Sequence, residues 1–216
     1  MPTAFPANIL PSEVTFGLRS NTQVFRNPLT ASIQTLRMPG AAWAGRATFS
    51  DLQDAEAREL EAFLVDLDGM NGRFYFGDFS LVEPRGAMSG RTNGLLIRGA
   101  SQTGSTLAID GGPANLANAF LPGDYVAFTT SLGRELKMVT AAANFNASGQ
   151  TTLNIAPNIR TSPSDNASVA YRLNSATSVG TSDTTCVMRL QSDEAQWSVR
   201  APVITGITIS FIEAFG

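Results

Sequence analysis

The carboxylates between residues 51 and 68 are the densest set of groups in this chain that could do chemistry. Asp51, Asp54, Glu56, Glu59, Glu61, Asp66 and Asp68 could supply the acid and base pair of a glycosidase. They fall on the polar side of an amphipathic pattern, with no aromatic sugar platform beside them, and read as a solvated face. "DLDGMNG" adds the start of a calcium loop through Asp66, Asp68 and Asn71, but Met70 stands at the third ligand position and Gly77 where a bidentate glutamate belongs. "GASQTGST" has the glycine spacing of a phosphate loop at Gly99 and Gly104. A serine replaces its lysine, and a strand follows where a helix N-terminus is needed.

Other chemistry is limited by what the chain lacks. There is no histidine, so the commonest general base and metal ligand is missing. The single cysteine, Cys186 in "TTCVMRL", reads as a small buried strand residue and allows neither an intrachain disulfide nor a cysteine-based zinc site. Trp43 and Trp197 read as core anchors. No catalytic, cofactor-binding or metal-binding set results, and the expectation is a protein that is not an enzyme and carries no cofactor.

The elements that would position any site are mostly strands. Charged residues make up 15% of the 216 residues, against about 25% in ordinary soluble domains, while 43% are hydrophobic. The expected fold is mainly β, with one helix. Ser50 and Gln53 match a capping box, Asp54 and Arg58 are four apart, and Ala57, Leu60, Phe63, Leu64 and Leu67 form an apolar stripe before Gly69 ends the helix. Burying that stripe on a sheet is worth roughly 6–11 kcal/mol of gross hydrophobic stabilisation. "RFYFGDFSLVE" then gives an aromatic strand, and residues 84–94 a turn-rich connector.

Before the helix, Val14, Phe16 and Leu18 alternate as in a half-buried strand, and "TQVFRNPLTASIQTLR" reads as two strands about a turn at Asn27-Pro28. The N-terminal residues, with Pro2, Pro6 and Pro11, read as an extended arm whose Phe5, Ile9 and Leu10 could anchor on its own domain or on a neighbouring subunit. They have no signal-peptide pattern, and no apolar run is long enough to span a membrane.

From Leu95 the pattern changes to six short strand candidates separated by Gly, Pro, Asn and Ser clusters, which argues a closed barrel of about five strands. Its expected core is Leu96, Leu107, Val126, Met138, Leu153 and Val169. Residues 174–185 read as a polar connector, after which "CVMRLQSD", "AQWSVRAP" and "ITGITISFIEAF" resume longer strands. These are too few to stand alone and are expected to complete the first sheet. The layout is a discontinuous β-rich platform, residues 1–94 plus 186–216, with a flanking helix and an inserted small β-barrel, residues 95–185, that the platform does not need in order to fold.

Charge narrows the partners. The net charge is −3, and residues 95–185 hold five basic and five acidic side chains. A single-strand-binding groove would be basic with exposed stacking aromatics, so neither nucleic acid nor an anionic membrane is expected as a partner.

Several stretches resemble phage proteins. "SNTQVF.NPLT", "MPGAAWAGRATFSDL", "EARELEAFLVDLDGMNGRFYFGD", "VMRL…W.VR" and, in the middle, "SQTGSTLAIDG", "LPGDYVAF", "ELKMVT" and "IAPNIRTSPSDNA" resemble tail proteins of long-tailed siphophages. The layout is similar to that of the distal tail protein, and the resemblance implies a β-sandwich or barrel platform with one flanking helix and an inserted small OB-like β-barrel. The resemblance implies a structural virion protein at the tail tip, assembled in the cytoplasm of the host bacterium, forming a homo-oligomeric ring, expected as a hexamer. It would join the tail tube protein to the baseplate hub and other tail-tip proteins, with the helix flanking the sheet and the strands walling the lumen. No signal here supports the galectin-like or carbohydrate-binding insertion found in some members from Gram-positive phages. Two alternatives stand beside it. One is an adhesin that meets host polysaccharide through Tyr125, Phe128 and Tyr171 on the barrel. The other is a tail-associated wall-degrading enzyme.

Overall fold

A computed structural model describes residues 2–6, 9–173, 183–200 and 204–215. Most of the expected polar connector, residues 174–182, lies outside them. In chain order the elements are β1 (Glu13–Arg19), β2 (Thr22–Arg26), β3 (Ile33–Arg37), β4 (Ala42–Leu52), α1 (Asp54–Asp66), a 3-10 turn (Gly69–Asn71) and β5 (Phe74–Phe76). Then follow β6 (Leu95–Ile97), β7 (Gly104–Asp110), β8 (Tyr125–Thr130), β9 (Gly133–Val139), β10 (Thr151–Ile159) and β11 (Ser168–Ala170). The chain closes with β12 (Cys186–Leu190), β13 (Trp197–Arg200) and β14 (Ile204–Glu213).

The fold is mainly β with one flanking helix. The platform sheet has strand order β1-β4-β14-β12-β5, with β13 beside the start of β14. Strands from both ends of the chain build it, because β14 pairs antiparallel with β4 from Leu52 to Ala44. One face carries Trp43, Ala47, Phe49, Met188, Ile209 and Phe211, all buried. Helix α1 covers one end of that face with the expected stripe: Ala57, Leu60, Phe63, Leu64 and Leu67 are buried. Phe5 of the N-terminal arm fills the gap between helix and sheet. Its ring lies 5.2 Å from that of Phe63 and 5.4 Å from that of Phe76.

The helix ends differ from expectation. Ser50 is still in β4, and Gln53 is the N-cap, its N–H donating to Glu56 Oε2 at 3.2 Å. The chain turns out of the helix through Asp68 (φ 51°) before Gly69 (φ 62°), so two left-handed residues make the stop. Glu61 is not on a solvated face. It is buried, with Arg58 Nη1 donating to its Oε2 at 3.0 Å.

The second unit is a closed barrel in the order β10-β7-β6-β11-β8-β9, so six strands close it rather than five. The three-residue strands β6 and β11 supply the closure. Leu107, Val126, Leu153 and Val169 are in its core as expected. Leu96 is only half-buried, and Met138 packs outward against the platform core. Met88, from the expected connector, is fully buried in the barrel interior. The reason lies in the backbone of residues 87–88, whose N–H groups donate to Asn118 O and Ala119 O and so lay this segment along the barrel.

Candidate assembly interface

Strands β2 and β3 pair with each other and with no other strand described. Their register is Thr22↔Arg37 through Arg26↔Ile33. The turn forms because Asn27 Oδ1 accepts the N–H of Leu29 at 2.9 Å and Asn27 O accepts that of Ala31. One face carries Val24 and Ile33, the other Phe25 and Leu36, and all ten strand residues are exposed. Leu29 at the tip is 93% exposed. A two-stranded hairpin without a covering layer is marginal in water, and this one exposes large apolar side chains on both faces among polar ones.

At its base the hairpin meets the junction of sheet and barrel. Arg37 Nη2 donates to Asn158 Oδ1 at 3.2 Å. A groove of about 490 Å³, lined by Met38, Pro39, Pro157 and Ile159 among others, opens between them. Below it, barrel strands β8 and β9 lay Tyr125, Ala127 and Leu136 on the platform core. Trp43 Nε1 donates to Leu136 O at 2.9 Å. Lys137 is buried, with Nζ 2.7 Å from Glu135 Oε2 and donating to Asn158 O at 2.9 Å. Burial pushes its ammonium below the usual lysine range, and the Glu135 carboxylate works against that shift. Arg134 is also pushed down by burial, to about 10, while its guanidinium donates twice to Asp183 O.

The residues expected to do chemistry or binding lie elsewhere. Tyr125, Phe128 and Tyr171 are buried, and so do not form an exposed glycan platform. Phe128 fills the barrel core. Tyr125 stacks edge-on against Trp43, its hydroxyl donating to Asp78 Oδ2 at 3.3 Å. The Tyr171 hydroxyl donates to Arg91 O at 2.8 Å. Burial raises both phenols above their ordinary value. Of the arm residues, Phe5 and Ile9 are committed to the chain's own core, and Leu10 alone of the three stays exposed. Trp43 is the core anchor expected, whereas Trp197 is 41% exposed, because short β13 sits at the sheet margin.

The phosphate-loop segment is a turn. Gln102 closes it by donating to Arg98 O, Gly99 O and Ala108 O and accepting the Ala108 N–H. In the calcium-like segment the Met70 N–H is taken by Asp193 Oδ1 at 3.0 Å. Among the described residues no group of three or more acids or cysteines could hold a metal ion. Sequence reasoning placed the hairpin strands but missed their isolation. Alternation in "TQVF" looks the same in a covered strand and in a bare one.

No protein-family model matches this chain, and no curated protein matches it.

Proposed function

We propose that this chain is a structural protein of a siphophage tail tip, a distal tail protein whose copies close into a ring, with six as the expected number. The ring would join the tail tube protein to the baseplate hub. The observation that carries the reading is the bare β2–β3 hairpin, a preformed two-stranded sheet with apolar side chains on both faces and no cover of its own. A hairpin given to one neighbour, with another received, is a heterologous contact, and such contacts close into a ring when the rotation between neighbours divides the full turn. The stretches that resemble siphophage tail proteins support the same assignment, as does the platform of mixed N- and C-terminal strands beside a small barrel. The role proposed is non-catalytic, and the burial of Tyr125, Phe128 and Tyr171 removes the surface on which an adhesin reading rested.

The test is mass in solution together with imaging of assembled tails. Light scattering should give a closed oligomer at high protein concentration, and labelled protein should mark the tail tip. A chain that stays monomeric at every concentration and never marks the tip would overturn the reading.

A further inference from the structure

The platform sheet is covered along one face, and its other face is open around Arg19, Arg46 and Gly17. There the register lines up Arg19 opposite Ala42, Arg46 between Thr15 and Ser210, and Arg189 opposite Ile212. Arg19, Arg46 and Thr15 are exposed, as is Gly17, where an added side chain would meet nothing within 4 Å. No carboxylate among the described residues pairs with any of the three arginines. Glu13, opposite Thr48, is the one acid on this face between those rows. Three arginines against one glutamate leave it at +2, in a chain whose net charge is −3. Next to Arg19 and Arg189 lies a hollow of about 520 Å³.

We propose that this open face binds the phosphodiester backbone of duplex nucleic acid without reading sequence. Three features select that ligand. Guanidinium forks match phosphate oxygens, and the hydroxyls of Thr15, Thr48 and Ser210 flank Arg46 as further phosphate donors. The face has little exposed apolar surface: Val187 is buried, Ile212 is half-buried, and Phe215 at the rim of the hollow stands alone, whereas a docked protein needs a broad desolvated centre. The aromatic beside Arg19 and Arg189, Phe215, already has the Arg160 guanidinium 3.6 Å over its ring, and one such ring falls short of the row of stacking platforms that a single strand uses. Strand spacing and rise put Arg19 roughly 14 Å from Arg46 and roughly 16 Å from Arg189, on the scale of the ~12 Å width of a major groove. Their side chains therefore reach phosphates on both walls. Whole-chain charge and the neutral barrel hid this, because the acids concentrate on α1 and on the junction while the arginines share one sheet face. The inference needs only the single chain.

The experiment is fluorescence anisotropy of a labelled duplex of about 24 base pairs with the full chain. Three phosphate contacts predict that affinity falls about 20-fold between 50 and 150 mM KCl (~3-fold in salt). Combining Arg19→Glu with Arg46→Glu should weaken binding at low salt at least about ten-fold and flatten the salt dependence. Arg98→Glu, exposed on the barrel, should change neither. Unchanged thermal melting would show that the double variant is folded. Absence of binding at low salt, or equal binding by the double variant, overturns the proposal. So does displacement of the duplex by poly-glutamate at equal charge, which would assign the face to an acidic protein. Loss of duplex binding with the oligomeric mass intact would leave the ring reading standing.

Discussion

Arg160 of the barrel and Glu213 of the platform form a bidentate pair, Nη1 to Oε1 at 2.9 Å and Nη2 to Oε2 at 2.7 Å. The Glu213 side chain is almost completely buried and also accepts the Trp43 backbone N–H at 3.0 Å. Arg160 donates to Ala41 O as well and lies 3.6 Å over the Phe215 ring. One guanidinium thus ties the barrel to three parts of the platform. Removing one partner of a buried pair leaves the other charge without compensation. Arg160→Ala should therefore cost about 3–5 kcal/mol, read by urea denaturation. Arg160→Met with Glu213→Leu should recover much of that loss, since it removes both charges.

Cys186 gives a pH dependence with a definite sign. It is fully buried, and burial holds its thiol well above the ordinary value of 9. A raised folded value means that the contribution to stability is complete below pH 9 and is lost as the unfolded thiol ionises above it. The stability of wild type minus that of Cys186→Ala should be flat from pH 7 to 8 (~neutral range) and fall above pH 9 by up to about 1.4 kcal/mol per pH unit. Comparison with the variant separates this slope from that of Lys137, whose depressed value acts in the opposite sense. Chemical unfolding at a series of pH values checks it.

The helix prediction distinguishes two adjacent kinds of site. Leu64 is 2% exposed under the stripe, and Leu64→Asp would place a carboxylate there, costing several kcal/mol through desolvation as well as lost packing. Glu61→Gln tests a subtler point, because Glu61 is buried yet held by Arg58, itself mostly exposed. The amide keeps the shape and an acceptor, so the change should cost no more than about 1 kcal/mol. Thermal melts of both variants would check the ranking.

The hairpin prediction concerns assembly without folding. Phe25→Asp with Leu36→Asp changes two exposed side chains on one hairpin face. Monomer stability should move by less than about 0.5 kcal/mol, since neither residue touches a core. Oligomer formation, followed by light scattering, should be lost.

Much of this was legible in the sequence where the signal is local. The stripe from Ala57 to Leu67 and the alternation of Ile207, Ile209 and Phe211 each name a face, and those faces are buried. The six barrel segments were visible because turn residues separate them. What was not legible depends on what lies opposite. Glu61 is covered because Arg58 folds over it, Tyr125 is buried because the platform meets the outside of the barrel, and the arginines share a face only through pairings set by register. None of the three leaves a periodic mark.

The relation between barrel and platform yields the last prediction. The sequence suggested that residues 95–184 could be replaced by a short linker, since each unit has its own core. Loop closure is not the obstacle, because its cost grows slowly with length. The obstacle is the shared surface. Tyr125, Ala127 and Leu136 on the outside of β8 and β9 belong to the same buried cluster as Trp43 and Phe211, and Phe16 stacks on Trp43 at 5.3 Å beneath them. Removing the barrel bares Trp43 and Phe16, strips Trp43 Nε1 of its acceptor and leaves Glu213 without Arg160. The linker replacement alone should therefore aggregate or unfold at room temperature. Adding Phe16→Thr, Trp43→Thr and Glu213→Gln should restore solubility by making that face polar and uncharged. Far-ultraviolet circular dichroism and size-exclusion chromatography of the two proteins decide the matter, and a linker replacement that is soluble and cooperative without the added changes would show that the shared surface contributes little.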